Sequence, residues 1–349
     1  MSWRSWFARP EPAAAPTPAA PRTAFLGAYG YGNLGDELCL IEAMQAFPGE
    51  DAHALSVDAD WTRRCVPALT GCFATGEALL ALNPSRIVFG GGMVGVTSAL
   101  RTWLPWMARA ERQGAEVHFH NLGVGRLKEV EAWLDEAARG VIERLGTFTV
   151  RDHLAVEYFA EAGIARLPAI THFPECNIAP DPALADRLLP QGMPLLGLSI
   201  IPTPMMKACL ELEAPRIRAL LAEFAGHAVV PIVSTVHRYS SEEDDLAGVT
   251  QFLHDFLPEG RIAAPQLLDR SFWHQELTPR RLKGIIGRLD TLITQRKHNA
   301  VHAIGSGVRV IGLHPLEDNS LRRTFIALQH RLRPGSRCIG LLPTSWRAA

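Results

Sequence analysis

Short apolar runs alternate with longer segments of helical periodicity along most of the chain. Residues 24–28 form one such run, and the following residues 35–47 place Leu40, Ile41, Met44 and Phe47 on one helical face. Further apolar runs typical of buried strands cover residues 87–89, 117–122, 147–150, 195–200, 228–233, 291–294 and 308–313. Helical segments fit between most of these runs, which predicts parallel sheets covered by helices on both faces.

A proline-rich stretch near residues 174–194 divides this pattern into two halves. Each half has about the size of one doubly wound unit. The sequence therefore predicts an α/β fold with one Rossmann-like domain over residues 23–185 and a second over residues 186–335. Two such units facing each other leave a cleft. Because ligands of these folds bind at the carboxyl ends of strands, we expect the functional site there.

The two ends of the chain depart from the pattern. Residues 1–22 are predicted to be a disordered leader, since its Ala- and Pro-rich part cannot bury enough surface to offset the entropy of ordering. Residues 336–349 are predicted to be a loose tail. Aromatic and basic residues lie near the start of the leader: Trp3, Arg4, Trp6, Phe7 and Arg9. Two interpretations of them stay open, a free end and a peripheral contact with a membrane or a partner.

Composition narrows the function classes. The 349 residues are 47% hydrophobic and carry a formal net charge of -1, so no global basic field is available to hold nucleic acid. The six cysteines form no Cys-x-x-Cys pair, which favours free thiols in a reducing compartment. The longest uncharged stretch, residues 188–206, is broken by four prolines, and the first residues do not resemble a secretory signal. We expect a soluble, cytoplasmic protein.

The first segment with candidate chemistry is the glycine-rich turn Gly30-Tyr31-Gly32-Asn33-Leu34-Gly35, followed by Asp36 and Glu37. Glycines permit positive φ, and the free N–H groups at a helix start favour an anion. Two alternatives stay open. The turn also matches the dinucleotide pattern G-x-G-x-x-G, with Asp58 or Asp60 as ribose-binding acid. It also fits a structural turn whose helix is capped by Asn33 or Asp36.

A second candidate segment is Gly90-Gly91-Gly92 at the end of a predicted strand. Such glycines suit the close approach of a ligand to the backbone, or a tight crossover. His237 follows another strand end, and we leave it undecided between ligand contact and a structural role. His118 and His120 share one face of a strand, where a metal pair is the alternative to ordinary packing near the cleft.

A third segment places Arg296, Lys297 and His298 between a strand and a helix. Arg grips a carboxylate or phosphate through parallel hydrogen bonds, and His transfers protons near neutral pH. His298 and His302 are four residues apart, as in H-E-x-x-H zinc sites, but Asn299 stands where that motif needs Glu. We therefore predict no metal here. The alternative is a set of solvated charges at a helix start.

These segments together resemble the polysaccharide pyruvyl transferases. The family pattern G-x-G-N-x-G-D-E matches residues 30–37, its G-G-G strand end matches residues 90–92, and its R-D segment is similar to Arg151-Asp152. Its late R-x-H-A stretch, which ends in G-x-P-V, is similar to residues 296–310. The resemblance covers about residues 23–320.

The resemblance implies a glycosyltransferase-B-like pair of Rossmann-like domains. It also implies phosphoenolpyruvate as co-substrate, no other cofactor and no metal, and a sugar or lipid-linked glycan whose hydroxyl pair receives the pyruvyl group as a cyclic ketal. We predict His298 as general acid and Arg296 as holder of the donor's carboxylate or phosphate. The predicted substrate-binding residues are Gly30, Gly32, Asn33, Gly35, Asp36, Gly91, Gly92, His237 and Lys297.

The sequence departs from the family pattern in several places. Lys297 stands where the family has Leu, Arg309 replaces its late Pro, and the strand of residues 195–200 is not followed by its usual Arg, for which Lys207 or Lys297 are substitutes. Two alternatives follow. One is a nucleotide-sugar glycosyltransferase of similar fold with Glu317 and Asp318 as donor-binding acids. The other is a non-catalytic relative that binds a glycan or a partner enzyme.

Overall fold

The computed structural model describes residues 21–91, 93–94, 97–124, 135–316 and 320–342. Two parallel sheets, each flanked by helices, follow one another along the chain. Each of the strand segments predicted from the apolar runs corresponds to an observed strand, with ends that differ by at most a few residues. The leader up to residue 20 lies outside the described residues.

The first sheet has the strand order β3-β2-β1-β4-β6-β7-β8, with the short β5 paired to β6, and all its pairings are parallel. Its elements are β1 (Arg22–Leu26), α1 (Leu34–Ala46), β2 (Asp51–Leu55), α2 (Ala59–Cys65), β3 (Gly71–Phe73), α3 (Gly76–Leu80), β4 (Arg86–Gly90), β5 (Met93–Val94), α4 (Thr97–Arg112), β6 (Glu116–Val124), α5 (Glu136–Glu143), β7 (Phe148–Val150), α6 (His153–Glu161) and β8 (Ala169–Ile170).

The second sheet has the strand order β10-β9-β11-β12-β13, again with parallel pairings. A 3-10 turn, Pro174–Asn177, links it to the first half. Its elements are α7 (Ala183–Leu188), β9 (Leu195–Ser199), α8 (Pro204–Leu212), α9 (Ala214–Ala222), β10 (Ala228–Pro231), α10 (Asp245–Phe256), α11 (Arg270–Glu276), α12 (Pro279–Ile286), β11 (Thr291–Thr294), α13 (Lys297–Gly305), β12 (Arg309–Pro315), α14 (Ser320–Ala327) and β13 (Arg337–Leu341).

Two predicted segment boundaries differ from the observed elements. Residues 337–341, expected in the loose tail, form β13, which pairs with β12 at the sheet edge. Residue 22, expected in the leader, begins β1. The domain boundary predicted after residue 185 falls inside α7, which packs against α12 of the second half.

Each sheet has one point at which the strand order reverses, between β1 and β4 in the first and between β9 and β11 in the second. In doubly wound folds the crevice beside such a point, at the carboxyl ends of the strands, is the usual ligand site. The glycine-rich turn of residues 30–35 follows β1, and the segment of residues 295–298 follows β11. The fold therefore brings the two strongest sequence motifs to the two crevices.

The two halves share one apolar core. Buried side chains of α1, such as Leu38, belong to the same cluster as Ile285 of α12 and Val301 of α13. The indole rings of Trp61 and Trp273 stack across the junction with centroids 5.9 Å apart. Burial of this apolar area stabilises the arrangement of the halves by the same hydrophobic effect that stabilises each of them.

Backbone hydrogen bonds also join the halves. The N–H groups of Val236 and Arg238 donate to the carbonyls of Gly32 and Tyr31, each at 2.9 Å, and Leu34 N–H donates to Ser234 O at 2.9 Å. The glycine-rich turn is thus paired with a loop of the second half. Within the described residues, no helix has both the length and the apolar character needed to cross a lipid bilayer.

Candidate active site

The buried carboxyl group of Glu37 holds the glycine-rich turn through a hydrogen bond. Gly30 and Gly32 have φ values of +85° and +86°, which favour glycine. Glu37 Oε1 accepts hydrogen bonds from Gly30 N at 2.7 Å and from Thr62 Oγ1 at 3.2 Å. Burial raises the pKa of Glu37 to about 8, although both hydrogen bonds oppose the shift. Glu37 is therefore an anchor of the turn.

Asn33 caps α1, so this part of the structural alternative is correct. Its Oδ1 accepts from Gly35 N at 3.0 Å, and its Nδ2 donates to Asp36 Oδ2 at 2.8 Å. Asp36 is thereby oriented, with its side chain only 14% exposed. Burial raises the pKa of Asp36 to about 7, against the opposing effect of the cations Arg151 and Lys297. This carboxyl group titrates near neutral pH.

His298, at the start of α13, lies across the start of α1. A Cβ added at Gly35 would overlap the His298 ring, so the contact requires glycine there. His298 Nε2 is 4.0 Å from Asp36 Oδ1 and 3.4 Å from Arg151 Nη1. Burial, and then the charges of Arg151 and Lys297, hold the pKa of His298 well below its usual value. The imidazole is neutral at pH 7 in the absence of a ligand.

Arg151 follows β7 and is completely buried beside His298. Its Nε donates to Asn121 O at 3.0 Å, its Nη2 donates to Cys39 Sγ at 3.0 Å, and Nη2 lies 3.6 Å from Glu175 Oε1. These partners fix the guanidinium. Sequence reasoning noticed Arg151 only as part of a motif and did not select it as a site residue, although its position at a strand end was the available signal.

Three side chains of kinds that bind metal ions lie close together in the site, but the guanidinium of Arg151 already contacts them. One donor atom each of Cys39, Glu175 and His298 lies within 4.8 Å of the others. The guanidinium of Arg151 contacts all three of these side chains. Burial also raises the pKa of the Cys39 thiol well above its usual value, which disfavours the thiolate that a metal needs.

The histidines that suggested other metal sites, His118, His120 and His302, are buried. His302 is buried, and burial lowers its pKa to about 3. His120 Nε2 lies 2.8 Å from Glu42 Oε2, and the rings of both His118 and His120 contact Phe47. His302 is not part of the group formed by Cys39, Glu175 and His298, in spite of its spacing of four from His298.

Arg296, the predicted holder of the donor anion, is already paired with two carboxylates. Its Nε donates to Asp245 Oδ1 at 2.8 Å and its Nη1 to Glu243 Oε2 at 2.5 Å. Asp245 in turn accepts from the backbone N–H groups of Ser234 and Thr235. This network joins the start of α13 to the start of α10, and it argues against the predicted role of Arg296.

Lys297 is better placed than Arg296 to pair with an anionic ligand. Within the described part of the chain, no carboxylate oxygen lies within 4 Å of its amino group, whereas the neighbouring Arg151 and Arg296 each have one within that distance. Burial, followed by the neighbouring charge of Arg151, lowers the pKa of Lys297 to about 8. The other proposed substitute, Lys207, lies in α8 and lines a different pocket, with Phe252 and Asp255. Arg151 and Lys297 are thus the cations that perturb the His298 ring most.

The remaining predicted residues lie in different parts of the structure or outside the described residues. A Cβ on Gly91 would overlap Cys39, so this glycine allows the end of β4 to pack against α1. His237 stacks on Tyr31 with centroids 5.5 Å apart, at the side of the glycine turn. Gly92, Glu317 and Asp318 lie outside the described residues.

The acids required by the dinucleotide alternative have other roles. Asp58 caps α2 by accepting from Trp61 N and forms an ion pair with Arg238. The side chain of Asp60 is 95% exposed. These placements argue against a ribose-binding carboxylate at either position.

Comparison with known proteins decides the family. A family model described as polysaccharide pyruvyl transferase matches residues 33–314. The chain belongs to this family. The match spans both halves and includes Asp36, Arg151 and His298. No curated protein matches this chain.

Solved structures resemble this family member in fold. One is the UDP-GlcNAc 2-epimerase from Neisseria meningitidis bound to UDP-GlcNAc, at 10% identity and a TM-score of 0.53, covering 90% of this chain and 87% of that one. Another is the Anabaena protein HepE in complex with UDP-glucose, at 11% identity and a TM-score of 0.51, covering 83% and 80%. The expected glycosyltransferase-B-like fold is confirmed.

Proposed function

We propose that this protein transfers a pyruvyl group from phosphoenolpyruvate to a pair of hexose hydroxyls, which it closes into a cyclic ketal. One observation carries the proposal: the imidazole of His298, whose side chain is only 13% exposed, lies beside the cations Arg151 and Lys297 at the carboxyl ends of strands from both sheets. Two cations beside a proton carrier suit a small donor with two anionic groups and a carbon that must be protonated.

Arg151 and Lys297 supply the charges for the donor. Phosphoenolpyruvate carries a carboxylate and a phosphate, and burial makes ion pairs with them stronger than they are at a surface. Arg151 is fixed by its hydrogen bonds to Asn121 and Cys39, so little entropy is lost when it binds an anion. Arg296 would have to break two ion pairs to bind the donor, whereas no carboxylate oxygen of the described residues lies within 4 Å of the Lys297 amino group.

His298 is the proposed general acid. Transfer of its proton to the methylene carbon of the enol leaves a cation at the neighbouring carbon, which one sugar hydroxyl attacks with loss of its proton. Phosphate then leaves, and the second hydroxyl attacks the same carbon, loses its proton and closes the ketal. One of the two hydroxyl protons restores His298, and the other leaves on phosphate. The free site disfavours the protonated imidazole, but a bound anion offsets the cations that lower its pKa. Asp36, 4.0 Å from Nε2, stabilises the same charged form.

The proposal also covers the acceptor, the cellular location and the co-substrate. The acceptor is a sugar or glycan, and we propose that it is lipid-linked and reached from the cytoplasm, with the aromatic and basic leader as a membrane contact. Phosphoenolpyruvate is the co-substrate, and no further cofactor is required by the steps above. Family membership supports a transferase that acts in polysaccharide biosynthesis.

The melting temperature measured with phosphoenolpyruvate, and separately with UDP-glucose, UDP-N-acetylglucosamine and ADP-heptose, tests the proposal. A ligand that binds only the folded state raises it. We expect a rise with phosphoenolpyruvate that disappears in Lys297→Met. Lys297 is a better target than Arg296, because Arg296→Ala would leave the carboxylate of Asp245 buried and unpaired.

Each other outcome favours one of the alternatives. A rise with a nucleotide sugar alone would favour the glycosyltransferase. The absence of a shift with every ligand would favour a non-catalytic relative that binds a glycan or a partner. Full transfer activity in both His298→Ala and Lys297→Met would contradict the assigned roles.

A further inference from the structure

Three aromatic rings form a cluster beside the glycine-rich turn. The rings of Tyr31 and His237 stack with centroids 5.5 Å apart and an interplanar angle of 21°. Tyr239 meets both rings edge-on, at 6.1 Å from Tyr31 and 6.3 Å from His237. One ring comes from the first half of the chain and two come from the second. We call these three residues the aromatic cluster.

Much of this cluster faces solvent. Tyr239 is 65% exposed, which is the highest value among the exposed large hydrophobic side chains of the described residues. Tyr31 and His237 are half-buried. An exposed ring that packs against two others contributes little to the core, so folding alone does not account for it. Exposed aromatic groups at the edge of a cleft are typical of ligand-binding surfaces.

The cluster also presents polar atoms. His237 Nδ1 accepts a hydrogen bond from Tyr239 N at 3.1 Å. A neutral His237 ring therefore carries its proton on Nε2, which becomes the donor toward a ligand. The phenol groups of the two tyrosines donate and accept. An apolar face with hydrogen-bonding tips matches a pyranose, which has C–H groups on its faces and hydroxyls on its edge.

One member of the cluster, His237, lines a cavity of about 310 Å³. His237 and Arg238 line it, together with Gly30, Gly32, Arg270 and His274. Its volume lies at the lower end of the roughly 300–1,000 Å³ of small-molecule sites. The charges around it are compensated, because Arg238 pairs with Asp58 and Arg270 pairs with Asp244. A neutral ligand fits this cavity better than an anion does.

Two chains of contacts connect the cluster with the candidate active site. Along the turn, Asn33 lies two residues after Tyr31, and its side chain donates to Asp36, the carboxyl group facing His298. Along the second half, His237 N–H donates to Glu243 O at 3.3 Å, and Glu243 pairs with Arg296 at the start of α13. The cluster is therefore connected with the proposed donor site through these residues and does not include Arg151, Lys297 or His298.

We propose that the aromatic cluster is the subsite for the acceptor, in which a neutral pyranose of the glycan stacks on Tyr239 and Tyr31 and receives a hydrogen bond from His237. The proposal rests on the proposed function, since it names the place of the acceptor in that reaction. It assigns recognition of the acceptor to residues 31 and 237–239, separate from the cations that hold the donor.

Saturation-transfer NMR tests the subsite with methyl β-glucoside, methyl β-galactoside, methyl β-mannoside and methyl N-acetyl-β-glucosaminide as probes. We expect wild-type protein to transfer signal to at least one of them. Tyr239→Ala should weaken that glycoside's affinity by about 5-fold, the range of a stacking contact. Tyr239→Phe keeps the ring and should retain binding. Ile326→Ala, another exposed residue, serves as control.

The outcomes separate this proposal from the proposed function. Equal binding of the glycoside by wild type and Tyr239→Ala would overturn the subsite, and so would the absence of signal from every glycoside with wild-type protein. The shift in melting temperature caused by phosphoenolpyruvate is measured on the same samples and should be unchanged in Tyr239→Ala. If that shift is absent while glycoside binding depends on Tyr239, the donor assignment fails and the subsite stands.

Discussion

At the scale of the residue, Gly35 decides whether His298 can lie over the start of α1. A methyl group at this position would occupy the space of the imidazole. Asp36, the next residue, faces the same ring at 4.0 Å. Because residue 35 is a glycine, the ring of His298 can lie beside Asp36.

Gly35→Ala should lower transfer activity about 100-fold, because displacing a reacting group by about 1 Å has an effect of that size. Steady-state kinetics with a matched control, Gly226→Ala, measures the effect. Gly226 has no heavy atom within 4 Å of an added Cβ, so its variant should keep full activity. Equal activity of the two variants would show that the position of His298 does not matter.

Glu37 links the glycine-rich turn to the pH dependence of stability. Its pKa in the folded protein, about 8, lies above the usual 4.5, so the folded state binds more protons than the unfolded state between these values. Stability should therefore fall as the pH rises through that window. Asp36 acts in the same direction between pH 3.8 and about 7.

Glu37→Gln keeps an oxygen acceptor for Gly30 and Thr62 but removes the titration. The melting temperature of wild type should fall between pH 5 and pH 8, and that of this variant should fall less, by a difference of at least ~2 °C. Scanning calorimetry at both pH values measures the difference. An identical fall in both proteins would mean that Glu37 is ionised in the folded state at neutral pH.

Sequence reasoning identified some of these residues and missed others for a physical reason. Asn33 as a helix cap and His298 at a strand end follow from local patterns. The partners of Arg296 could not be predicted, since Glu243 and Asp245 lie about fifty residues earlier in the chain and meet it only in the folded protein. Arg151 was missed because its importance depends on its contact with His298, 147 positions away.

At the scale of the element, α13 is joined to the second sheet by a buried amide. Asn299 Nδ2 donates to Ser199 Oγ at 2.7 Å and to Ser234 Oγ at 3.0 Å. These hydroxyls belong to the end of β9 and to the segment after β10. The bonds hold the first turn of α13, which carries Lys297 and His298, against two strand ends.

Asn299→Ala should lower the free energy of unfolding by ~1–3 kcal/mol, because it removes two buried hydrogen bonds and leaves the Ser199 hydroxyl without its partner, whereas Ser234 Oγ still donates to Asp245. Denaturation by urea measures the change. Gln266→Ala, at an exposed position, should change stability by no more than about 0.5 kcal/mol. A loss no larger than that of the control would mean that the amide does not hold α13.

The strands missed by sequence reasoning have mixed polarity, are short or lie at a sheet edge. β2 carries Asp51 and His53, which pair with each other, and its mixed polarity conceals a strand. β13 is largely half-buried and pairs only with β12, so its sequence lacks the continuous apolar run of a central strand. Central strands such as β9 and β11 are buried at every position, and their apolar runs predicted them correctly.

At the scale of the whole molecule, the proposed site exists only where the two halves meet. Asp36 and Arg151 come from the first half, and Lys297 and His298 come from the second. The shared apolar core and the backbone pairing of Gly32 with Val236 fix the halves relative to each other. The cleft followed from the predicted pair of doubly wound domains, but the identity of the facing side chains required the structure.

In the proposed reaction, Lys297 and Arg151 hold an anionic enolpyruvyl donor beside His298. Isothermal titration of wild-type protein with phosphoenolpyruvate at pH 7 and pH 9 tests this contact. Lys297, with a pKa of about 8, is charged at the lower pH and largely neutral at the higher. The dissociation constant should rise about 10-fold between them, and Lys297→Arg should lose most of this dependence. Absence of binding at both pH values, or an affinity equal at both, would contradict the account.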